Sequence, residues 1–294
     1  MTPDPQQSAA SYQPPGPATN SPHVTIVILA WNGRALTEAC VASYLAQQYP
    51  SFDVLVVDNA STDGTPAALR ARFGDRIRLV ENAHNLLFAG GINVGLRLAL
   101  ESRAEFVLIS NNDVEADPGV LAALVGRAAT DEHIGAVGPK IFYFEPRDVL
   151  WFAGGELPLW RGWSHHRGLR ERDQGQHDTP RDCDYLTGCA FLARRAAFVT
   201  TGLFDAGFAM YAEDADWCFR ARTHGWRLVY EPRAQLWHHV SAASGARSWY
   251  KIRRRTVSQW RFLRRHARWY HALTIPFGTL LEALRVLGVL VRGR

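Results

Sequence analysis

The sequence predicts an α/β protein built round a mostly parallel sheet, and three observations predict it. Short apolar runs rich in β-branched residues recur at VTIVIL (24–29), FDVLVV (52–57), RIRLV (76–80) and FVLIS (106–110), each too short for a typical helix. Segments of helical spacing, 35–47, 66–73 and 91–102, lie between them. Polar residues then follow each run at once: Trp31-Asn32-Gly33, Asp58-Asn59, Asn82 and Asn111-Asn112-Asp113. Strand alternating with helix implies right-handed crossovers and parallel strands, here expected to be buried on both faces. Ligands of such sheets bind outside the carboxyl ends of the strands, so these polar ends should meet along one rim.

At 294 residues the chain can bury a sizeable core. After Pro118 the pattern changes to one helix (119–130), strand-like pieces, a loop rich in Trp, Gly and His (151–177) and a compact block from 185 to 239. This second half is expected to pack on the same sheet and shape a second substrate's pocket. The division expected is therefore a tail (1–22), one domain (23–245) with a nucleotide-binding half (23–118) and an acceptor half (119–245), and a basic helical extension (246–294).

The tail is rich in Pro, Ser and Gln and has neither a basic start nor an apolar centre, so it reads as disordered rather than as a signal peptide. Cys40, Cys183, Cys189 and Cys218 lack paired metal spacing and read as reduced, cytosolic thiols. The net charge of +5 is modest, but KIRRRTVSQWRFLRRHAR (251–268) carries no acid. Its interleaved Trp260, Phe262 and Trp269 favour an amphipathic helix on an anionic membrane surface over a nucleic-acid contact. The apolar stretch 273–291 is interrupted by Pro276, Glu282 and Arg285, and reads as surface-lying rather than spanning.

Asn111-Asn112-Asp113 puts oxygen ligands on one short turn, suited to Mg²⁺ or Mn²⁺ shared with a substrate phosphate; an Asx-rich turn capping the next helix is the alternative. Asp58 can accept the imide N–H of a pyrimidine, whereas Asp63 and Thr65 read as a helix cap. Asn85 to Gly95, NLLFAGGINVG, is a glycine-bearing loop entering a helix, where Gly91 would let backbone approach an anion; close helix packing is the alternative. Glu213, Asp214 and Asp216 crowd three carboxylates into four positions, an arrangement that makes a general base unless compensated. Asp216 should pair with Arg220 at i,i+4 and leave Asp214 free. One imidazole of His238-His239 is a candidate to complete a metal shell.

Taken in order, VTIVILAWNG, VVDNASTDGT, NLLFAGGINVG, ISNNDV, YLTGCAFLARR, GLFDAGFAMYAEDADWCFRARTHGW and LWHHVSAASG resemble the family 2 glycosyltransferases, in particular the bacterial rhamnosyltransferase-like branch, from about residue 24 to 266. The resemblance implies a GT-A fold, with a Rossmann-like mixed sheet flanked by helices, and an inverting transfer from a nucleotide-diphospho-sugar to a glycan or lipid-linked acceptor. It implies Asp214 as base beside Glu213, and metal ligation by Asp113 and His238. Ala30, Asn32, Asp58, Asn85, Gly91, Asn93, Asn111 and Asn112 would line the donor, and Thr187, Gly188 and Trp217 the acceptor; Trp163 is a further stacking candidate. Asn111 stands where the family commonly has the first Asp of D-x-D, which lowers the negative charge there. A nucleotidyltransferase would need a basic glycine-rich loop after the first strand, and AWNGR (30–34) is a poor one. A non-catalytic sugar-nucleotide or membrane-binding relative would not need the Glu213-Asp214 pair.

Overall fold

The computed structural model describes residues 21–162, 164–208, 210–240, 249–271 and 273–278. Nearly all of the expected tail, Trp163 and residues 279–291 lie outside that range. Four parallel strands begin the chain: β1 (Val24–Ala30), β2 (Phe52–Asp58), β3 (Arg78–Glu81) and β4 (Phe106–Asn111), with helices α1 (Arg34–Leu45), α2 (Thr65–Phe73) and α3 (Leu87–Glu101) between them. Then follow β5 (Val114–Ala116), α4 (Val120–Ala128), β6 (Ile134–Tyr143), β7 (Leu150–Phe152) and a small hairpin of β8 (Gly155–Glu156) with β9 (His165–His166). The last elements are β10 (Arg181–Asp182), β11 (Ala190–Arg194), α5 (Arg195–Thr201), α6 (Glu213–Thr223), β12 (Arg227–His238) and α7 (Trp249–His266).

One ten-stranded sheet runs β10-β12-β6-β11-β4-β1-β2-β3, with β5 added to β12 and β7 to β6. Antiparallel β11 sits between β4 and β6, so the sheet is mixed but mostly parallel. β1 is buried at every position, as are Val54 to Asp58 of β2 and Phe106 to Ser110 of β4, because helices cover both faces of these central strands. β3 departs from the expectation. It starts at Arg78, after a 3₁₀ turn at Gly74–Arg76, and its residues are only partly covered because it is the edge strand. α3 also starts earlier than expected, at Leu87, so Gly90 and Gly91 lie inside the helix rather than in a loop before it.

That placement changes the reading of Gly91. A β-carbon there would stand 2.6 Å from Leu29 Cδ1 and 3.0 Å from Asn59 Nδ2. Its smallness lets α3 press against β1 and Asn59; it does not open a path to a ligand. β1 lies between β2 and β4, and the strand order reverses there, which makes the carboxyl ends of β1 and β4 the switch point where α/β sheets bind ligands.

Candidate active site

Backbone register assembles the rim. Ala30 lies opposite Asp58, and Leu29 opposite Asn111. Ala30 contributes backbone only, its carbonyl accepting the Asn59 N–H at 2.7 Å. Asn32, in a left-handed conformation at φ 57°, accepts the Thr62 N–H on Oδ1 at 2.8 Å, while its own N–H donates to Ser61 Oγ at 2.7 Å. Asn112 Nδ2 donates to the Asn32 carbonyl (2.9 Å) and to Thr37 Oγ1 (2.7 Å), tying the turn after β4 to the turn after β1. Asn85 Oδ1 accepts the Leu87 N–H (2.7 Å) and Asn59 Nδ2 (2.9 Å), so it fixes the turn that leads into α3.

Asn59 is the hub that sequence reading did not single out. Buried at 2% exposure, its Nδ2 also donates to the Leu87 carbonyl, and its Oδ1 accepts from Asn82 Nδ2 and the Leu86 N–H. Its place directly after a carboxylate at a strand end was the available signal. Asp58 is 1% exposed; its Oδ2 accepts the Ser61 N–H at 2.9 Å, and its Oδ1 is buried with no partner. Asp63 is not the cap expected, since Gly64 takes that position without a side-chain bond; Asp63 instead holds the turn, accepting the Thr65 N–H and hydroxyl on Oδ1 and the Arg34 N–H on Oδ2.

Two other expectations are corrected. Asn93 is buried and spends its amide on Phe204, donating to the carbonyl at 2.8 Å and accepting the N–H at 3.1 Å, so it fixes the chain before α6 instead of facing a donor. Trp217 is fully buried, stacked on Phe191 with its indole N–H on the Gly202 carbonyl, and has no face for an acceptor. It is core packing.

At the far end of the rim β5 pairs antiparallel with the end of β12, setting His238 opposite Val114. His238 Nε2 then stands 3.2 Å from Asp113 Oδ1 without forming a hydrogen bond, and His238 Nδ1 has no partner either. His239 instead stacks on Phe144. Trp151 meets both His238 and His166 edge to face, at 4.6 and 4.7 Å. Burial holds the His166 imidazole at about 4, so it is neutral. These two aromatic walls were hidden in a loop whose sequence has no periodicity.

The carboxylate pair opens α6. Tyr211 and Ala212, at φ 71° and 66°, turn the chain so that Glu213 and Asp214 occupy the first helical turn. Non-glycine residues in this region cost on the order of 1 kcal/mol or more each and persist where the surroundings over-determine them. Asn32, Ala60 and Leu87 share this strain, one after each of the first three strands. Asp214 Oδ2 accepts the Gly188 N–H (2.9 Å) and Oδ1 the Ala215 N–H (2.8 Å). Gly188 packs closely here: a β-carbon would stand 3.0 Å from Phe88 Cζ, so a larger residue would need that ring to shift. Thr187 is buried beside it, its hydroxyl accepting the Cys189 N–H, and the Cys189 carbonyl in turn accepts the Asn111 N–H. The acceptor-side segment is thus joined to the end of β4.

Burial, and then the neighbouring Asp214 charge, push the Glu213 carboxyl up to about 8, and its Oε2 has no partner. Burial also raises Asp214, opposed by its two backbone N–H bonds. Both carboxyls are therefore raised, Glu213 by burial and by Asp214, and Asp214 by burial against its backbone N–H bonds, so the two share their titration as a pair at a helix N-terminus. Asp216 is not part of this. Fully buried, it is pulled down by His266 and Arg220, at 2.8 Å each. The Arg220 pairing is the one its spacing predicts.

The family model described as Glycosyl transferase family 2 matches residues 25–201, more than half of the chain. An N-acetylglucosaminyl-diphospho-decaprenol L-rhamnosyltransferase of Mycobacterium tuberculosis is 30% identical over 248 residues, 78% of this chain and 80% of that protein. The O-antigen biosynthesis protein RfbC of Myxococcus xanthus is 31% identical over 78% of this chain, which spans only 18% of that longer protein. Among solved structures, the mannosyltransferase PcManGT of Pyrobaculum calidifontis, in complex with GDP-Man and Mn²⁺, covers 94% of this chain and 80% of its own with a TM-score of 0.61 at 21% identity. GalNAc-T7 with UDP, GalNAc and Mn²⁺ covers 83% of this chain and 48% of its own with a TM-score of 0.65 at 14% identity. These likenesses show the fold, a GT-A arrangement. With the family match and the rhamnosyltransferase relative beside them, the chain belongs to glycosyl transferase family 2.

Proposed function

We propose that this glycosyltransferase moves a sugar, rhamnose or another hexose, from a dTDP- or UDP-linked donor to a hydroxyl of a cell-surface polysaccharide or lipid-linked glycan, with inversion at the anomeric carbon. One observation carries the reading. Five buried side-chain polar atoms lack a hydrogen-bond partner among the described residues, and four belong to Asp58, Asp113, Glu213 and His238. A folded protein leaves such atoms unpaired at the cost of about 1–3 kcal/mol each, and their gathering on one rim marks where ligand atoms belong.

Asp58 Oδ1 would accept the imide N–H of the pyrimidine, with the Ala30–Asn32 backbone and Asn111-Asn112 lining the nucleotide. Asp113 and His238 fit a divalent cation, Mg²⁺ or Mn²⁺, since Asp113 Oδ1 and His238 Nε2 converge to 3.2 Å with no hydrogen bond to the oxygen; the unpartnered Nδ1 is the other nitrogen of the same ring. When bound, such an ion supplies charge neutralisation to the departing diphosphate. Asp214 takes the proton from the acceptor hydroxyl as that oxygen bonds the anomeric carbon and the carbon–phosphate-oxygen bond breaks. Glu213, protonated, spares Asp214 a second adjacent charge. Among the described residues no helix is long and apolar enough to cross a membrane, and we place the enzyme in the cytoplasm, peripheral at the inner face of the cell membrane.

Calorimetric titration of UDP, dTDP and GDP, with and without Mn²⁺, tests the donor assignment. One pyrimidine diphosphate should bind with metal, and lose at least tenfold in affinity in Asp113→Ala. Absence of binding by the folded protein would leave the Asn-Asn-Asp turn as a helix cap.

A further inference from the structure

Helix α7 has two faces with different partners. Its inner face grips the chain that leads into the catalytic helix. Ser258 Oγ donates to the Met210 carbonyl at 2.7 Å, His266 Nε2 lies 2.8 Å from Asp216 Oδ1, and Phe262, 1% exposed, packs edge-on against Phe219. Arg261 and Arg265 both reach Asp205, at 3.2 and 2.9 Å. Asp214 therefore sits between a contact at Met210 and a contact at Asp216, both made by α7.

The outer face presents Arg253, Val257, Trp260 and Arg264, at i, i+4, i+7 and i+11, hence in one line along the helix. Val257 and Trp260 are 61% and 63% exposed. With Gly207 and Arg254 they border an open groove of about 520 Å³. Neither Arg253 nor Arg264 has an acidic partner recorded among the described residues, and the whole helix contains no acid. Beyond α7, Trp269, Leu273 and Phe277 are exposed as well. Exposed aliphatic and aromatic side chains threaded with arginines suit the boundary between phosphate headgroups and acyl chains, where guanidinium meets phosphate and indole is half-buried. A purely solvated basic face has no need of the tryptophans and leucine.

We propose that the outer stripe of α7 docks on an anionic phospholipid bilayer, and that the helix transmits this seating through its inner face to the segment carrying Asp214. The inference rests on the membrane-peripheral reading above and adds the surface that makes the contact and the element that feels it. An acceptor held in the same bilayer would then meet a catalytic turn steadied by the surface that delivers it.

The test uses the full chain with vesicles of phosphatidylglycerol and phosphatidylcholine, or of phosphatidylcholine alone. Co-sedimentation should occur with the anionic vesicles and fall with added salt. The double variant Arg253→Glu/Arg264→Glu should weaken it by roughly tenfold or more, and Trp260→Ala by several-fold. These residues border the groove beside Gly207 and are none of those assigned to the nucleotide, so Mn²⁺-dependent nucleotide binding by the same variants should be unchanged; its loss in wild type would count against the donor assignment and leave docking to be judged by sedimentation. Equal sedimentation with neutral vesicles, or sedimentation indifferent to the charge reversals, overturns the docking surface. Hydrogen exchange reads the second half of the proposal. Amides of residues 210–216 should be better protected on anionic vesicles, and His266→Ala should keep sedimentation while losing that protection. Vesicle binding with no change at 210–216 overturns the coupling.

Discussion

On the side of the rim assigned to the donor, after β1, β2 and β3, most polar side chains are neutral amides that bond one another or the loop backbone: Asn59 with Asn82 and Asn85, and Asn32 with the Thr62 N–H. Where the donor's diphosphate is assigned to meet the acceptor, ionisable groups at Asp113, Glu213 and His238 keep buried atoms without partners. Amides are cheap to bury when each donor meets an acceptor, and such a network holds loop backbones still without any net charge. Carboxylates and imidazoles buried without partners hold nothing still; they raise the energy of the empty site and are repaid when a substrate arrives. Asp58 is the instructive exception, a carboxylate on the amide side with one oxygen bonded to Ser61 and the other open. Wiring and chemistry can thus be told apart by which atoms are satisfied.

The sharpest way to break this comparison is to neutralise the proposed base. Asp214→Asn keeps the side chain's size but cannot take a proton and can accept only one of the two backbone N–H bonds; turnover should fall by about 10²–10⁴-fold while nucleotide affinity stays as in wild type. Substantial remaining turnover would remove Asp214 from the role. On the amide side the expected effect is smaller and of another kind. Asn59→Ala deletes four side-chain hydrogen bonds and should cost roughly 2–4 kcal/mol in urea unfolding, with metal dependence of nucleotide binding retained.

The third effect is a slope. Because Glu213 sits at about 8 in the folded chain against an ordinary value of 4.5, the folded state binds its proton more tightly than the unfolded state does. Stability from this group is full below 4.5 and is lost as pH rises towards 8. The loss is at most about 1.4 kcal/mol per pH unit from one proton. Glu213→Gln, permanently neutral, should flatten the stability profile across that window; an unaltered slope by thermal unfolding would place the proton elsewhere.

The central strands and helices were legible because burial on both faces leaves an apolar run that periodicity detects. β3 was misjudged because an edge strand has the same β-branched composition with half the cover. At the site, Asp58, Asp113, Asp214 and His238 stand out as candidates because carboxylate or imidazole at a strand end or helix start is chemically conspicuous. Asn93, Gly91 and Trp217 stand within the same motifs, yet the structure gives them to packing. A motif records which residues travel together, not which of them face the ligand. The Trp151 and His166 walls were out of reach because their neighbours are set by the β8–β9 hairpin, which a two-residue strand does not announce.

The double hydrogen bond between Asn93 and Phe204 joins positions 111 residues apart, and Asp113 must wait for His238 at the very end of β12. Closing loops of that length is slow, because their entropy is spent before the contact rewards it. As the chain leaves the ribosome the first four strands can pair early, whereas β6, β11 and β12 enter the sheet only after most of the protein has been made. Glu213, Asp214 and His238 thus come into register late in folding, so a chain stalled or cut before β12 would have a donor-side rim and no acceptor side to complete it.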